Sequence, residues 1–456
     1  MIKIFNHYFH KRTLLQILFD LGVLLLAVVL LSCSRDASAG ENFSLVIARF
    51  LILAVSLFLI GCGLGFYQRV HNQTVVQTGI RALVALMFML PLIYAVSLHV
   101  EDPRKFGVVL AVVVLFLMVI RVLSIHSKNS PMLSQRVLIF GVGERAKMVG
   151  TTLKQADPHV ELVGYYAGPN EAEARDSAWG LMSMTNSLTD IVLDRQVDEI
   201  VVALTERRGG SMPMRELLDC KLKGVRVVDI ATHFERTLGQ IRLESVSAGW
   251  LIFGDGFGSG WLRRFVKRVF DIVCASILLV LALPTMLIAS IAIFLESGFP
   301  ILYFQERVGL NGRLFSVVKF RSMCSDAEKD GKPQWAKVGD SRVTRVGQVI
   351  RKLRIDELPQ LFSVLSGSMS LVGPRPERPF FVDQLTQKIP YYAVRHSVKP
   401  GVTGWAQVRY QYGASIEDSV EKLQYDLYYV KNHSLLLDIV VLFETIGVVV
   451  LRKGAQ

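Results

Sequence analysis

Four apolar blocks near the N-terminus constrain this chain more than any other feature. Leu14–Leu31, Leu45–Phe66, Ile80–Leu98 and Phe106–Ile125 each have about the length a helix needs to cross a hydrocarbon core. Lipid offers no partner for backbone N–H and C=O groups, so such blocks satisfy them internally, as helices. No small-residue cleavage site clearly ends the first block, which reads as a retained span and not as a signal peptide. Of the 456 residues 51% are apolar, too oily a balance for an ordinary soluble protein.

Basic residues orient the block. Lys3, Lys11 and Arg12 precede the first span, Arg69 and Arg81 flank the second connection, and Arg121, Lys128 and Arg136 follow the fourth span. The first connection sets Arg35 against Asp36 and Glu41, and the third sets Arg104 and Lys105 against Glu101 and Asp102. The best solution places both ends of residues 1–128 in the cytoplasm, so that the rest of the chain starts on the inner face. A net charge of +12 suits work beside anionic lipid and phosphorylated substrates. No recognised nucleic-acid fold or aromatic-basic pattern accompanies that charge, so no nucleic-acid partner is expected. Five cysteines without C-x-x-C spacing argue against zinc and against a disulfide framework, and fit a reducing compartment.

Residues 129–250 read as a small α/β domain. "RVLIFGVGERAKMVG" is a strand, a glycine turn and a helix, with Gly141, Gly143 and Ala146 in a G-x-G-x-x-A pattern. Further strands are expected at Leu162–Tyr166, Glu199–Leu204 and Val225–Asp229. A dinucleotide site would want an acidic residue where the second strand ends, and Tyr165-Tyr166-Ala167 stands there. The Tyr-x-x-x-Lys pair of a dehydratase or epimerase is missing between Arg136 and Trp261. The domain reads as a structural or regulatory module.

A fifth apolar run, 265–296, follows Arg263, Arg264, Lys267 and Arg268 and holds Pro284 near its middle. Proline removes a helical hydrogen bond, and each half is too short to cross a bilayer alone. The residues leave a kinked span and a re-entrant helix both open. Near the C-terminus, 435–451 is apolar but carries Asp438 and Glu444, which favours an interfacial helix over a span.

Between these membrane segments the chain turns basic, with 18 Lys and Arg against 9 Asp and Glu over residues 300–411. Lys319 and Arg321 alternate around Phe320 in "KFRSM", so both should project to one face. Arg375 stands between two prolines in "VGPRP", a rigid frame for a guanidinium that meets phosphate. Trp405 in "GWAQ" reads equally as a membrane-interface residue or as a platform for a base or sugar. "RIDELPQLF" then places Asp356 and Glu357 among Arg351, Lys352 and Arg354. Adjacent helical residues diverge by about 100°, so the two carboxylates should divide their roles. One reading is an acidic helix start. The other is a nucleophilic aspartate, kept ionised by its cations, that also takes part in binding Mg²⁺.

"FSVVKFRSM", "LRIDELPQLFSVLSGSMSLVGPRP" and "VKPGVTGWAQV", in this order, closely resemble the bacterial sugar transferases, the monotopic polyprenyl-phosphate phosphoglycosyl transferases. The match runs from about Trp261 to Lys453. The preceding segments resemble the long form of that family, with four membrane helices and a degenerate Rossmann-like (CoA-binding-like) domain; "GWAQVRYQYG" and "WLIFGDGF" look most like exopolysaccharide-associated members. The resemblance implies a mixed membrane protein in three parts: a four-helix transmembrane bundle (1–128), a Rossmann-like α/β domain (129–250) and an α-rich monotopic catalytic domain (251–456) with a re-entrant helix that breaks at Pro284. It implies transfer of a sugar phosphate from a UDP-sugar to undecaprenyl phosphate at the cytoplasmic face of the bacterial inner membrane, for exopolysaccharide or O-antigen synthesis. The family's nucleophile falls on Asp356, its adjacent acid on Glu357 with an open role, and its basic motifs on Lys319, Arg321 and Arg375, with Arg354 and Arg395 added. Mg²⁺ at Asp356 and membrane lipid are implied, and a homodimer through the middle domain is compatible. A dehydratase or epimerase, or a non-catalytic scaffold of polysaccharide export, are the alternatives.

Overall fold

The computed structural model describes residues 2–4, 7–9, 11–33, 43–67, 75–100, 102–123, 135–156, 160–168, 187–204, 212–246, 248–254, 256–258, 260–324, 342–410, 413 and 415–450. Arg35, Asp36, Glu41, Arg69, Glu101 and Lys128, used above for orientation, lie outside the described residues, as do Gln411 and Tyr412 of "GWAQVRYQYG". The chain folds into two units, one of residues 1–2, 9–61 and 65–238, the other of residues 3–8, 62–64 and 239–456. Two three-residue strands open the chain, β1 (Ile2–Ile4) and β2 (His7–Phe9).

The first unit carries α1 (Lys11–Cys33), α2 (Phe43–Gly63, all but its last two residues), α3 (Val75–Ser97) and α4 (Pro103–Leu123). Each contains a stretch long and apolar enough to cross a membrane, and α10, described below, makes a fifth. These five helices make the chain a membrane protein. Asp20 of α1 pairs with Arg121 of α4 out of solvent, Tyr67 donates to the same carboxylate at 2.8 Å, and the guanidinium lies 4.8 Å from the Tyr67 ring centroid. A charge in an apolar bundle persists when it is paired inward, which explains the arrangement. Arg121 is therefore no flanking charge, and Arg81 too is buried, within α3. Neither informs orientation as the flanking-charge count assumed.

The α/β part of this unit is formed by β3 (Gln135–Phe140), α5 (Glu144–Ala156), β4 (Val160–Tyr166), α6 (Leu188–Asp194), β5 (Glu199–Val202), α7 (Met214–Leu222), β6 (Arg226–Asp229) and α8 (Ile230–Leu238). The strands make one parallel sheet in the order β4-β3-β5-β6. Val137, Leu138, Ile139 and Phe140 are all fully buried, as expected of a parallel strand covered on both faces. The glycine turn has a packing reason that needs no ligand. Gly141 has φ +128°, and a Cβ there would meet the Ala203 carbonyl at 2.9 Å, while Ala146 is buried in the core.

The second unit continues through α9 (Ala248–Phe253), α10 (Trp261–Ser297), the antiparallel hairpin β7 (Leu302–Val308) and β8 (Leu314–Phe320), α11 (Arg345–Lys352) and α12 (Gln360–Ser366). It ends with β9 (Ser370–Val372), α13 (Pro379–Lys388), β10 (Gly401–Thr403), parallel to β9, then α14 (Trp405–Arg409), α15 (Ile416–Asn432) and α16 (Leu435–Val450). Its core gathers Val317, Leu361, Val364, Leu371, Phe381, Tyr428 and Val441.

Pro284, where the resemblance implied a break, lies inside α10. Helical backbone is assigned through it over 37 residues, since a proline removes one hydrogen bond and can bend a helix without ending it. Both ends of α10 are clamped to the same unit. Toward the N-terminus, Arg268 donates to the Val364 and Leu365 carbonyls at 2.6 and 2.7 Å, and Lys267 meets Asp438 at 2.7 Å. At the other end, the Glu296 carboxylate accepts from Arg345 N and Val346 N at 2.8 and 3.0 Å, capping α11. Between the clamps Ile277, Leu278, Val280, Leu281 and Leu283 point outward.

The acids of α16 turn inward. Asp438 is fully buried between Lys267 and the Tyr429 hydroxyl (2.7 Å each), and Glu444 pairs with Arg409 at 2.6 Å. The two acids that weighed against a span at 435–451 are here paired inward and tie α16 to the interior of its unit. Replacing Asp438 with alanine would leave the half-buried Lys267 without its main partner. Asp438→Ala should cost on the order of 3 kcal/mol and lower the melting temperature of the full chain by roughly 5 °C or more. A melting temperature equal to that of the wild type would mean the pair is not structural.

Candidate active site

The site forms where the hairpin, the turn after α11 and the loop after β9 meet. Leu353 ends α11, and Arg354 adopts a left-handed conformation (φ +58°) that redirects the chain into a single 3-10 turn, Ile355–Glu357. A non-glycine residue in that region costs on the order of 1–2 kcal/mol and persists where surrounding contacts enforce it. Helix α12 begins only at Gln360, with Pro359 before it. The acidic pair therefore sits in a turn ahead of the helix, and neither side chain caps α12.

The two carboxylates have different surroundings, as adjacency required. One oxygen of Glu357, Oε1, accepts from Lys319 Nζ at 3.1 Å and from Arg375 Nη2 at 3.0 Å, with Arg354 Nη1 at 3.9 Å. Burial works against ionising Glu357, but Lys319, Arg375 and Arg354 together outweigh it and hold its pKa well below the usual carboxylate range. Burial also lowers the Lys319 pKa, against the pull of Glu357. Asp356 fares otherwise. Its Oδ1 is buried with no hydrogen-bond partner among the described residues. Burial first and the Glu357 charge second push its pKa up to about 6, and Lys319, Arg354 and Arg351 only partly offset them. The sequence reading had the cations keeping Asp356 low; they serve Glu357 instead.

Of the other expected site residues, Lys319, Arg354 and Arg375 join this cluster. Arg321 does not, because it follows the last residue of β8 and turns toward the end of α10. Its guanidinium donates to the Ser297 and Gly298 carbonyls and to Ser297 Oγ, all at 2.7 Å. It satisfies the open C-terminal carbonyls of that helix. Arg395 is buried behind the cluster, paired with Asp426 at 2.8 Å. Trp405 serves neither role expected of it, since it is buried, donates to the Gly239 carbonyl at 2.7 Å and stacks on Tyr428. Sequence reasoning missed Arg307, whose Nη1 donates to the Pro376 carbonyl at 3.1 Å, and Asp426. Arg307 in "QER" was visible as a cation, but nothing local pointed to its partner seventy residues on.

An unpartnered buried oxygen suits a cation. No group of three His, Cys, Asp or Glu that could hold a metal occurs among the described residues. Mg²⁺ needs no such group, since it commonly takes one or two carboxylates and completes its shell with water and substrate phosphates. The Asp356 carboxylate fits that donor set.

An α/β part carried with apolar helices, and a basic unit with one solvent-stripped carboxylate beside a neutralised one, define a membrane protein with a concentrated cationic site. Residues 262–452 match the family "Bacterial sugar transferase". A UDP-glucose:undecaprenyl-phosphate glucose-1-phosphate transferase of Xanthomonas campestris pv. campestris is 30% identical over 343 residues, 72% of this chain and 69% of that protein. The chain belongs to the bacterial sugar transferase family. It is also 46% identical to a UDP-N-acetylgalactosamine-undecaprenyl-phosphate N-acetylgalactosaminephosphotransferase of Aeromonas hydrophila over 242 residues, 53% of this chain and 56% of that protein. A UDP-glucose:undecaprenyl-phosphate glucose-1-phosphate transferase of Escherichia coli (strain K12) shares 39% over 196 residues, 42% of each chain. The chain thus spans about half the length of these last two relatives.

The unequal carboxylates predict opposite stability effects. Folded Asp356 holds its proton to higher pH than the unfolded chain does, so its ionisation opposes folding as pH rises toward and past about 6. Asp356→Asn should raise the melting temperature, by a margin that grows between about pH 4 and about pH 7. Glu357 is depressed, so its contribution is present above the unfolded carboxylate range and lost as pH falls below it. Glu357→Gln should lower the melting temperature at neutral pH, by on the order of 3 kcal/mol of stability. Thermal unfolding of both variants across pH checks this, and a destabilised Asp356→Asn at alkaline pH would contradict it.

Proposed function

We propose that the chain is an initiating phosphoglycosyl transferase that moves a sugar 1-phosphate from a UDP-sugar to undecaprenyl phosphate and releases UMP. The observation that carries this reading is the Asp356–Glu357 pair. One carboxylate is neutralised by three cations, and the other is buried with one oxygen left without a hydrogen-bond partner. The activities of the relatives support the class. Those activities involve N-acetylgalactosamine and glucose, so the proposal extends to the UDP-sugar class and to no single sugar.

The Asp356 carboxylate attacks the β-phosphorus of the donor. The bond from that phosphorus to the bridging oxygen breaks, and UMP leaves with the electron pair. A phosphate oxygen of the polyprenyl acceptor then attacks the same phosphorus, the aspartyl–phosphorus bond breaks, and Asp356 is restored as a carboxylate. Lys319, Arg354 and Arg375 lie on Glu357 in the resting site and can shift toward the donor diphosphate, where they oppose the growing negative charge. Glu357 keeps these cations together and ionised before the donor arrives. Asp356, through its unpartnered oxygen, would hold Mg²⁺, which when bound draws charge out of the diphosphate. Splitting the transfer in two lets a water-soluble donor and a lipid acceptor use one site in turn.

The same reading makes α10 a re-entrant helix. Its two clamps on one unit and its outward-facing middle support a helix that dips into the inner membrane from the cytoplasmic side. The parallel sheet of the first unit is read as Rossmann-like, in a chain organised as residues 1–128, 129–250 and 251–456. A homodimer and an exopolysaccharide or O-antigen pathway complete the proposal.

Purified full chain with a radiolabelled UDP-sugar should release UMP without any lipid acceptor and retain a phosphosugar on the protein. Asp356→Asn should lose both, by at least about 10³-fold. UMP release should fall as pH drops through about 6, where Asp356 takes up its proton. Release that requires the acceptor, or that survives in Asp356→Asn, would refute the covalent route.

A further inference from the structure

The loop that delivers Arg375 has an unusual property: the carbonyls along it are held from outside. Val372 O accepts from the Tyr429 hydroxyl at 2.9 Å, and Pro374 O from Gly401 N at 3.0 Å. Arg375 O accepts from Arg395 Nη2 at 2.9 Å, Pro376 O from Arg307 Nη1 at 3.1 Å, and Glu377 O from Val308 N at 2.9 Å. Gly373 donates to the Thr403 carbonyl at 2.9 Å, and a Cβ on it would meet the Lys399 carbonyl at 2.3 Å. A loop fixed residue by residue in this way presents the Arg375 side chain in a set direction, and Arg375 points at Glu357.

Two of those donors are guanidinium groups, and they differ in setting. Arg307 lies along the hairpin and also approaches Glu377, at 3.6 Å. Arg395 is enclosed: its side chain is 6% exposed, its Nη1 donates to the Tyr392 hydroxyl at 2.7 Å, and its Nη2 is shared between Arg375 O and Asp426, itself 2% exposed. A guanidinium so occupied cannot reach a donor phosphate without abandoning Asp426 in the core, and an unpaired buried charge costs several kcal/mol.

We propose that Arg395, held by Asp426 and Tyr392, is a positioning residue for the transfer reaction: it acts through the Arg375 carbonyl to fix the backbone from which the Arg375 guanidinium meets Glu357 at rest and the donor diphosphate during transfer, and does not touch the substrate. This rests on the transferase reading, and it replaces the donor-phosphate role that the sequence suggested for Arg395. Arg307 does the same from the hairpin side through Pro376. A lysine at 395 keeps the charge on Asp426 but has no planar fork to serve Tyr392, Asp426 and the carbonyl together.

The test is a double-mutant cycle on the full chain in detergent or nanodiscs, with UMP release from a UDP-sugar expressed per folded molecule. Arg395→Lys should lower kcat about tenfold. In an Arg375→Gln background the same change should cost less than about twofold, because the group it positions has gone. Losses that multiply independently, or a raised KM for the donor with kcat unchanged, would mean direct contact and overturn the proposal. So would a lowered melting temperature with kcat per folded molecule intact, the mark of a merely structural pair. If Arg395→Lys does not fold, Arg307→Lys carries the same cycle with the same expected outcomes. Hydrogen exchange without substrate gives an independent reading. Amides within 373–378 should exchange faster in Arg395→Lys, or in Arg307→Lys if that variant stands in, while α15 stays as in the wild type; unchanged exchange in that loop overturns the proposal. A wild-type chain that releases no UMP from any UDP-sugar, while the loop loosens as expected, would sink the transferase reading and leave the loop contact standing.

Discussion

The second unit is organised around one carboxylate oxygen. Glu357 Oε1 draws in Lys319 from the hairpin, Arg375 from the loop after β9 and, more loosely, Arg354 from its own turn. These are distant parts of the sequence, and without that oxygen three cations would crowd together with nothing to neutralise them. The arrangement also sets its neighbour's chemistry. Because Glu357 takes the positive charge, Asp356 is left with burial and a like charge beside it, and its proton affinity rises. A pair of adjacent acids becomes one ion-pair hub and one under-compensated carboxylate, by geometry alone.

Much of the fold was legible in residue pattern. The four apolar blocks became α1–α4 with ends shifted by a few residues, and the expected strands of the α/β part formed a parallel sheet. Lys319, Arg354 and Arg375 were marked as cations near Asp356 and Glu357, and the structure brings them together. What pattern could not reveal was direction. Alternation placed Lys319 and Arg321 on one face, but β8 ends between them, and Arg321 meets the open carbonyls of α10. Arg121 and Arg81 looked like flanking charges and are buried within helices, Arg121 because Asp20 lies across from it.

The remaining differences come from long-range pairing, which leaves no local trace. Asp438 and Glu444 looked like acids too polar for a buried helix, and each has a cation from elsewhere in the chain. Arg395 was added to the donor-phosphate set beside the family's basic motifs, and Asp426 had no feature that connected it to residue 395. Charge pairs of this kind become visible only when the chain has folded.

The clamps on α10 have a mechanical meaning. A helix fastened at one end can tilt or slide while the body it belongs to stays still. Lys267 and Arg268 hold one end of α10, and Glu296 and Arg321 the other, to elements that adjoin the Glu357 cluster. Its outward apolar stretch therefore has little freedom of its own, and a displacement of that stretch is passed on to the body carrying the carboxylates. Any shift of such a helix along an apolar phase is carried to the Asp356–Glu357 pair through the same clamps, and not through a flexible tether.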